Sequence, residues 1–157
     1  MTNIGVISDT HGLLRPEAMQ ALRGSELILH AGDIGSPAVL EELAKLAQVT
    51  AIRGNNDSEP WARDIPDTVR IEVERASIFM LHNLKELSLD LARDKVDVVI
   101  AGHSHRPSIE RREGVLFLNP GSAGPRRFKL PISVAKLEIE GTRIRSRIIE
   151  LEVRAKR

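Results

Sequence analysis

A chain of 157 residues is long enough for one domain with a real core and too short for two comfortable ones. Hydrophobic residues at 41% and charged residues at 29% are ordinary for a globular protein, and no apolar run is long enough to span a bilayer. The absence of cysteine excludes a disulfide framework and a thiolate metal site, while a net charge of +1 and 3% aromatics give poor support to a nucleic-acid stacking surface.

The first apolar, β-branched run, residues 3–7, begins almost at Met1 with no basic, apolar leader ahead of it, so a cytoplasmic protein is expected. Further short runs at 27–29, 49–52 and 96–100 suit strands buried on both faces. A helix over 16–23 separates the first two, opened by Pro16 and stopped by Gly24. Ser36 caps a second helix begun by Pro37, with Val39, Leu40, Leu43 and Leu46 as its apolar stripe and Glu41 and Lys45 four apart on its surface. The first half therefore reads βαβαβ, the pattern of a parallel layer with right-handed crossovers.

Beyond Pro66 the rhythm changes. Residues 69–73 alternate with period two, 76–81 form an apolar run ending at His82, and a short helix is expected over 87–93. Strands follow at 108–112, 115–118, 132–139 and 143–151, the last two joined by a turn at Glu140-Gly141-Thr142. A phase shift between Val134 and Leu137 predicts a bulge. Residues 1–60 carry four Arg and Lys against eight Asp and Glu, and residues 101–157 carry thirteen against six. Arg143, Arg145 and Arg147 alternate with Ile144 and Ile148, so they read as a solvated strand face. The expected architecture is α/β: one domain, 1–157, with a two-layer β-sandwich flanked by helices in an α/β/β/α order.

Chemistry-bearing residues cluster after these strands: Asp9-Thr10-His11, Gly32-Asp33, Gly54-Asn55-Asn56-Asp57, His82, and Gly102-His103-Ser104-His105. Strand ends in an open α/β sheet share one crevice, so groups scattered over a hundred residues meet there. Oxygen and nitrogen donors without sulfur suit Mn²⁺, Fe²⁺, Co²⁺, Ni²⁺ or Zn²⁺ better than Ca²⁺ or Mg²⁺. His30 has no place in that set and reads as a structural histidine. Asp57 reads equally as a loop cap and as support for a ligand. Trp61 either packs over the cleft edge or meets a substrate base.

These motifs resemble the calcineurin-like metallophosphoesterase superfamily, whose signature runs Asp-x-His, Gly-Asp, Gly-Asn-(His/Cys/Asn)-(Asp/Glu), His, Gly-His-x-His. Asn119-Pro120-Gly121-Ser122 is similar to the last motif of its small single-domain bacterial and archaeal phosphodiesterase branch. The resemblance implies two divalent metal ions, manganese first among the candidates. One would take Asp9, His11, Asp33 and His105; the other Asp33, Asn55, His82 and His103. It implies a metal-bridging hydroxide that attacks a small phosphodiester, with Asn55 also touching the phosphoryl group. Arg126 and Arg127 are candidate phosphate contacts; Arg53, just before Gly54, could do the same but reads first as an exposed arginine. The larger phosphatases of the superfamily place a histidine acid where Asn56 stands, and an aspartate that orients it where Ser36 stands. Asn56 donates a hydrogen bond but delivers no proton, so strong monoesterase activity on poor leaving groups is not expected. Many relatives carry Gly-His shortly after the ligand His82, where Asn83-Leu84-Lys85 stands here. A metal-binding protein-interaction scaffold of the same fold and a nuclease are the alternatives. Membrane and nucleic-acid partners are not expected, and a homo-oligomer is left open.

Overall fold

The structure, a computed structural model, describes residues 1–127 and 129–153; the last four residues of the expected domain lie outside that range. Strand β1 (Thr2–Ile7) is buried over its last four residues, as a strand covered on both faces must be. It pairs in parallel with β2 (Leu27–His30), which pairs in parallel with β3 (Gln48–Ala51). The crossovers are α1 (Pro16–Ala21) and α2 (Pro37–Ala44). Ser36 caps α2 by accepting from Ala38 N–H at 3.2 Å. Lys45 pairs with Glu42 at 2.7 Å and not with Glu41, a difference confined to an exposed surface.

A second sheet follows: β4 (Thr68–Val73), β5 (Ala76–Leu81), β6 (Val98–Ile100), β7 (Ser108–Arg112) and β8 (Val115–Asn119), in the spatial order β4-β5-β6-β8-β7. The chain then returns to the first sheet as β9 (Ser133–Glu140) and β10 (Arg143–Glu150), giving the order β10-β9-β1-β2-β3. The two-residue turn at Gly141-Thr142 has glycine first with φ 63°, the conformation a tight hairpin needs there.

The sheets face each other through Ile4, Val6 and Leu29 on one side and Ile78, Met80, Val98, Ile100 and Leu116 on the other, all within 1% of full burial. Helices α1 and α2 cover the outer face of the first sheet, with Ala18, Leu22, Val39 and Leu43 packed on Ile7 and Ile28. The outer layer over the second sheet is thin. It consists of a 3₁₀ turn at Leu84–Glu86 and irregular chain up to Asp97, with no α-helix among the described residues.

Two expectations are corrected here. Residues 87–93 are not helical, because Leu87, Leu89 and Leu91 recur every second residue. Non-helical chain through Leu87 and Leu89 and a turn starting at Leu91 put all three against the cluster that includes Val96 and Val99, whereas on a helix Leu89 would face away from the other two. Asp90 then closes a turn through Arg93 N–H (3.1 Å) and Asp94 N–H (2.9 Å). The bulge in β9 is also absent: its pairing with β10 runs unbroken from Glu140↔Arg143 to Ser133↔Glu150, and its pairing with β1 is equally regular. The apparent phase shift arises because β9 is buried on both faces near Val134 and on one face only near Glu138.

Strands β1, β2 and β3 run parallel in one sheet and β5, β6 and β8 run parallel in the other. Their carboxyl ends meet across the sandwich, where Ala123 N–H donates to Ser8 C=O (3.1 Å) and His82 Nδ1–H to Ala31 C=O (2.7 Å). Every candidate ligand lies in a loop leaving one of these ends.

Candidate metal centre

Asp9 follows the buried end of β1 and is itself fully buried. Its Oδ2 accepts from Ser8 Oγ–H (2.7 Å) and from His103 N–H (3.1 Å), while its Oδ1 has no hydrogen-bond partner. That unpaired oxygen lies 3.4 Å from His105 Nε2, 3.8 Å from His82 Nε2 and 3.9 Å from His11 Nε2. Asp33, 3% exposed, is fixed by Asn56, whose backbone N–H donates to Oδ1 (3.0 Å) and whose side-chain amide donates to Oδ2 (3.4 Å). Asp33 Oδ2 stands 3.2 Å from His82 Nε2 and 3.7 Å from His11 Nε2, between the two imidazoles.

The donors form two groups that share Asp9: Asp9, His11 and His105, and Asp9, Asp33 and His82, each with ligand atoms within 4.8 Å of one another. His103 is exposed and set edge-on to His82, with ring centroids 5.2 Å apart. Asn55, His82 and His103 line one cavity of about 480 Å³, together with Arg53. Arg53 is oriented there by Asp67, at 3.0 Å and 3.1 Å, and the described lining does not include Arg126 or Arg127. Those two arginines lie exposed, just past Gly124. Trp61 packs against the outer cluster under α1 and α2, and its indole N–H donates to Glu59 (3.2 Å).

The geometry fits a divalent cation better than it fits protons. His82 Nδ1–H donates to Ala31 C=O at 2.7 Å, which leaves the Nε2 lone pair aimed at two carboxylates. At 3.2 Å from Asp33, Nε2 is close enough for an ion pair, yet it lacks the alignment of a hydrogen bond. Burial lowers the pKa of His82, but the carboxylates of Asp33 and Asp9 and the Ala31 carbonyl outweigh it and raise the net value. Burial likewise works to raise the Asp33 carboxyl, and His82 and the Asn56 N–H overcome it, pulling it down to about 2. Two buried carboxylates facing the imidazoles of His11, His82 and His105 thus require positive charge between them.

Five of the seven expected ligands adopt left-handed backbone: Asp9 (φ 56°), His11 (47°), Asp33 (56°), His103 (73°) and His105 (63°). For non-glycine residues this costs about 1–3 kcal/mol each, and it persists only where surrounding contacts over-determine it. Those contacts are visible: Asp9 N–H donates to Gly32 C=O (3.0 Å), His11 N–H to Asp33 C=O (2.9 Å) and Gly12 N–H to Ile34 C=O (2.8 Å). Glycine is required at two points of closest approach. A Cβ on Gly54 would lie 2.1 Å from Asp33 Oδ1, and one on Gly102 would lie 2.1 Å from Ser8 Oγ and 2.7 Å from Asp9 Oδ2.

Several supporting residues carry little sequence signal. Ser8 reads as the polar end of a strand, yet it holds the first carboxylate. Asn119 donates to Gly102 C=O (3.0 Å) and Ser104 Oγ (3.1 Å), and Ser122 Oγ–H donates to Asp9 C=O (3.0 Å). The Asn119-Pro120-Gly121-Ser122 segment therefore braces the ligand loops from behind. Asp57 accepts from Ile34 (3.0 Å), Gly35 (3.0 Å) and Gly54 (2.9 Å) N–H groups and ties the loop of Asp33 to that of Asn55. His30 is structural, as expected. Gly32 N–H donates to its Nδ1 (3.1 Å), its Nε2 meets Thr10 Oγ1 (3.0 Å), and Thr10 donates to Ile34 C=O (2.8 Å).

Residues 2–142 match the model of the calcineurin-like phosphoesterase superfamily domain. The chain belongs to that superfamily. It is 40% identical over 161 residues to a protein of Methanothermobacter thermautotrophicus named "Probable metallophosphoesterase", covering 93% of this chain and 91% of that one. It is 34% identical over 137 residues to phosphodiesterase MJ0936 of Methanocaldococcus jannaschii, covering 75% and 82%. Among solved structures, an archaeal phosphodiesterase superposes with a TM-score of 0.76 at 29% identity, over 94% of this chain and all of that one. Vps29 of Chaetomium thermophilum superposes with a TM-score of 0.78 at 18% identity, over 96% of each chain, a likeness of fold.

Two outcomes follow for the loops around this calcineurin-like centre. Replacing Asp57 by alanine strands three N–H groups and should lower stability by about 3 kcal/mol. Urea unfolding in chelator checks this, and a loss below about 0.5 kcal/mol would show that the loops hold without it. For His30, burial lowers the pKa from 6.5 to about 4. The unfolded chain takes up this proton first, so the neutral imidazole's contribution is complete above about pH 6.5 and lost as pH falls to about 4. Its size is roughly 3 kcal/mol. His30→Asn should flatten that part of the urea-midpoint profile, whereas an equally steep variant would assign the slope elsewhere.

Proposed function

We propose that this chain, as one domain over 1–157, is a metal-dependent phosphoesterase that acts chiefly on small phosphodiesters. Two divalent ions would be held, one by Asp9, His11, Asp33 and His105 and the other by Asp33, Asn55, His82 and His103. The observation that carries this reading is the pair of buried, unpartnered atoms Asp9 Oδ1 and His82 Nε2, aimed into the space between two carboxylates. Asp33 Oδ2, set between His11 and His82, supports its role as the shared ligand. When bound, such ions supply an acidified water as nucleophile and positive charge for the phosphoryl oxygens. Mixed oxygen and nitrogen donors suit Mn²⁺, Ni²⁺, Co²⁺, Fe²⁺ and Zn²⁺, and Mn²⁺ is taken first on the family likeness.

The protein's own part is positioning. Ser8 and the His103 N–H aim Asp9, Asn56 aims Asp33, and the Ala31 carbonyl fixes the His82 tautomer. Asn55 and Arg53, on the wall of the polar cavity, contact the phosphoryl oxygens, with Arg126 and Arg127 as further contacts from the loop past Gly124. Asn56 is turned onto Asp33 and has no proton to deliver. Relatives named phosphodiesterase support the diester preference. A protein-interaction scaffold has no need of an unpaired carboxylate oxygen buried among imidazoles. A nuclease is disfavoured because Arg53 in the polar cavity is offset by Asp67 and Glu86 and because aromatics are only 3% of the chain.

Asp33→Asn keeps a residue suited to the left-handed backbone but removes the shared anion. It should bind Mn²⁺ at least about tenfold more weakly and lose turnover in parallel. Elemental analysis beside a bis(p-nitrophenyl) phosphate assay checks this, and full metal with near-normal turnover would sink the assignment. Rates on a series of aryl diesters should fall steeply as the leaving-group pKa rises. Asn56→His should flatten that dependence, and an unchanged slope would remove any link between position 56 and the leaving group.

A further inference from the structure

Beside the polar cavity lies a second one, of about 540 Å³, within the range of small-molecule sites. Asn83 and His103 line both cavities and so form the partition between them. The floor of the second is the outer face of the second sheet, with Val99, Ala101 and Phe117, and Leu84 closes one side. This face is open because the outer layer is a single 3₁₀ turn and irregular chain where an α-helix would have filled it. Asn119, whose amide is used on Gly102 C=O and Ser104 Oγ, closes one end, and Lys85, Ser108, Glu110 and Arg112 supply further polar groups of the lining. Arg112 lies over the Phe117 ring, 5.2 Å from its centroid, and its Nε donates to Glu110 at 3.1 Å. The stacked guanidinium and ring present a flat wall whose charge Glu110 offsets.

We propose that this cavity is the subsite for the organic substituent of the substrate, and that the substituent is an aromatic or heteroaromatic ring. The assignment rests on the phosphodiesterase reading above, with the phosphorus on the far side of His103. A phosphodiester differs from inorganic phosphate by carrying organic groups one bond from its oxygens. An apolar chamber sharing a wall with the phosphate chamber is where such a group finds cover. Its flat wall gives a planar ring full contact, and a branched alkyl chain less.

The test uses metal-loaded protein and the inhibitors methylphosphonate and phenylphosphonate, with binding measured by calorimetry. Phenylphosphonate should bind at least about tenfold tighter than methylphosphonate, the order set by burying one ring. Ser108→Trp, on the exposed strand β7 at the rim, should fill the chamber, and Phe117→Ala should remove part of its floor. Each should bring the ratio to about twofold or less while leaving methylphosphonate affinity unchanged, which shows the fold and the metal side intact. No preference in the wild type, or a preference that survives both substitutions, would overturn the subsite. A preference for pyrophosphate over phosphate, with none for the ring, would assign the chamber to a second phosphate through Lys85 and also overturn it. If methylphosphonate itself fails to bind the metal-loaded wild type, the phosphoesterase reading fails first and takes the subsite with it.

Discussion

Two carboxylates, Asp9 and Asp33, are buried at 0% and 3% exposure within reach of the same imidazoles. Burying like charges together is strongly unfavourable unless positive charge lies between them, and this requirement governs the surrounding structure. Each carboxylate is held by neighbours: Ser8 and the His103 N–H on Asp9 Oδ2, both nitrogens of Asn56 on Asp33. The side chains therefore have no freedom to turn away from one another. What remains unpaired points inward, and the chemistry follows from that.

Holding the groups in place requires unfavourable backbone. Left-handed conformations at five ligand positions place short side chains across a narrow gap, and the strain is offset by hydrogen bonds that run between loops. His30 and Asp57 are the fasteners. The first links the loops after β1 and β2 through Thr10 and Gly32, and the second links the loops after β2 and β3 through three N–H groups. On the other sheet Asn119 does the same for Gly102 and Ser104. Rigidity here serves function: a ligand set displaced by 1 Å loses its metal or its reactivity.

The outer faces of the sandwich divide the remaining work. Helices α1 and α2 cover the first sheet with a second apolar layer packed on Ile7 and Ile28. The second sheet is covered by Leu84, Leu87, Leu89 and Leu91 on irregular chain, which is thinner and leaves the space next to His103.

Spacing and residue type alone identified the βαβαβ half, the two-sheet class, and the seven polar positions after strand ends, because strand period and donor chemistry are local properties. They also marked Ser36 as a cap, His30 as structural, and Arg143, Arg145 and Arg147 as a solvated face. The leucines at 87, 89 and 91 misled because, in a short segment, period two and one helical turn differ by little until a packing partner is known. The phase shift in β9 misled for a related reason, since burial on both faces erases alternation. Tertiary structure alone decided which carboxylate oxygen is left unpaired, which loops Asp57 and Asn119 join, and that two cavities share His103 as a wall. Each of these depends on contacts between segments far apart in the chain, whose distances no local pattern encodes.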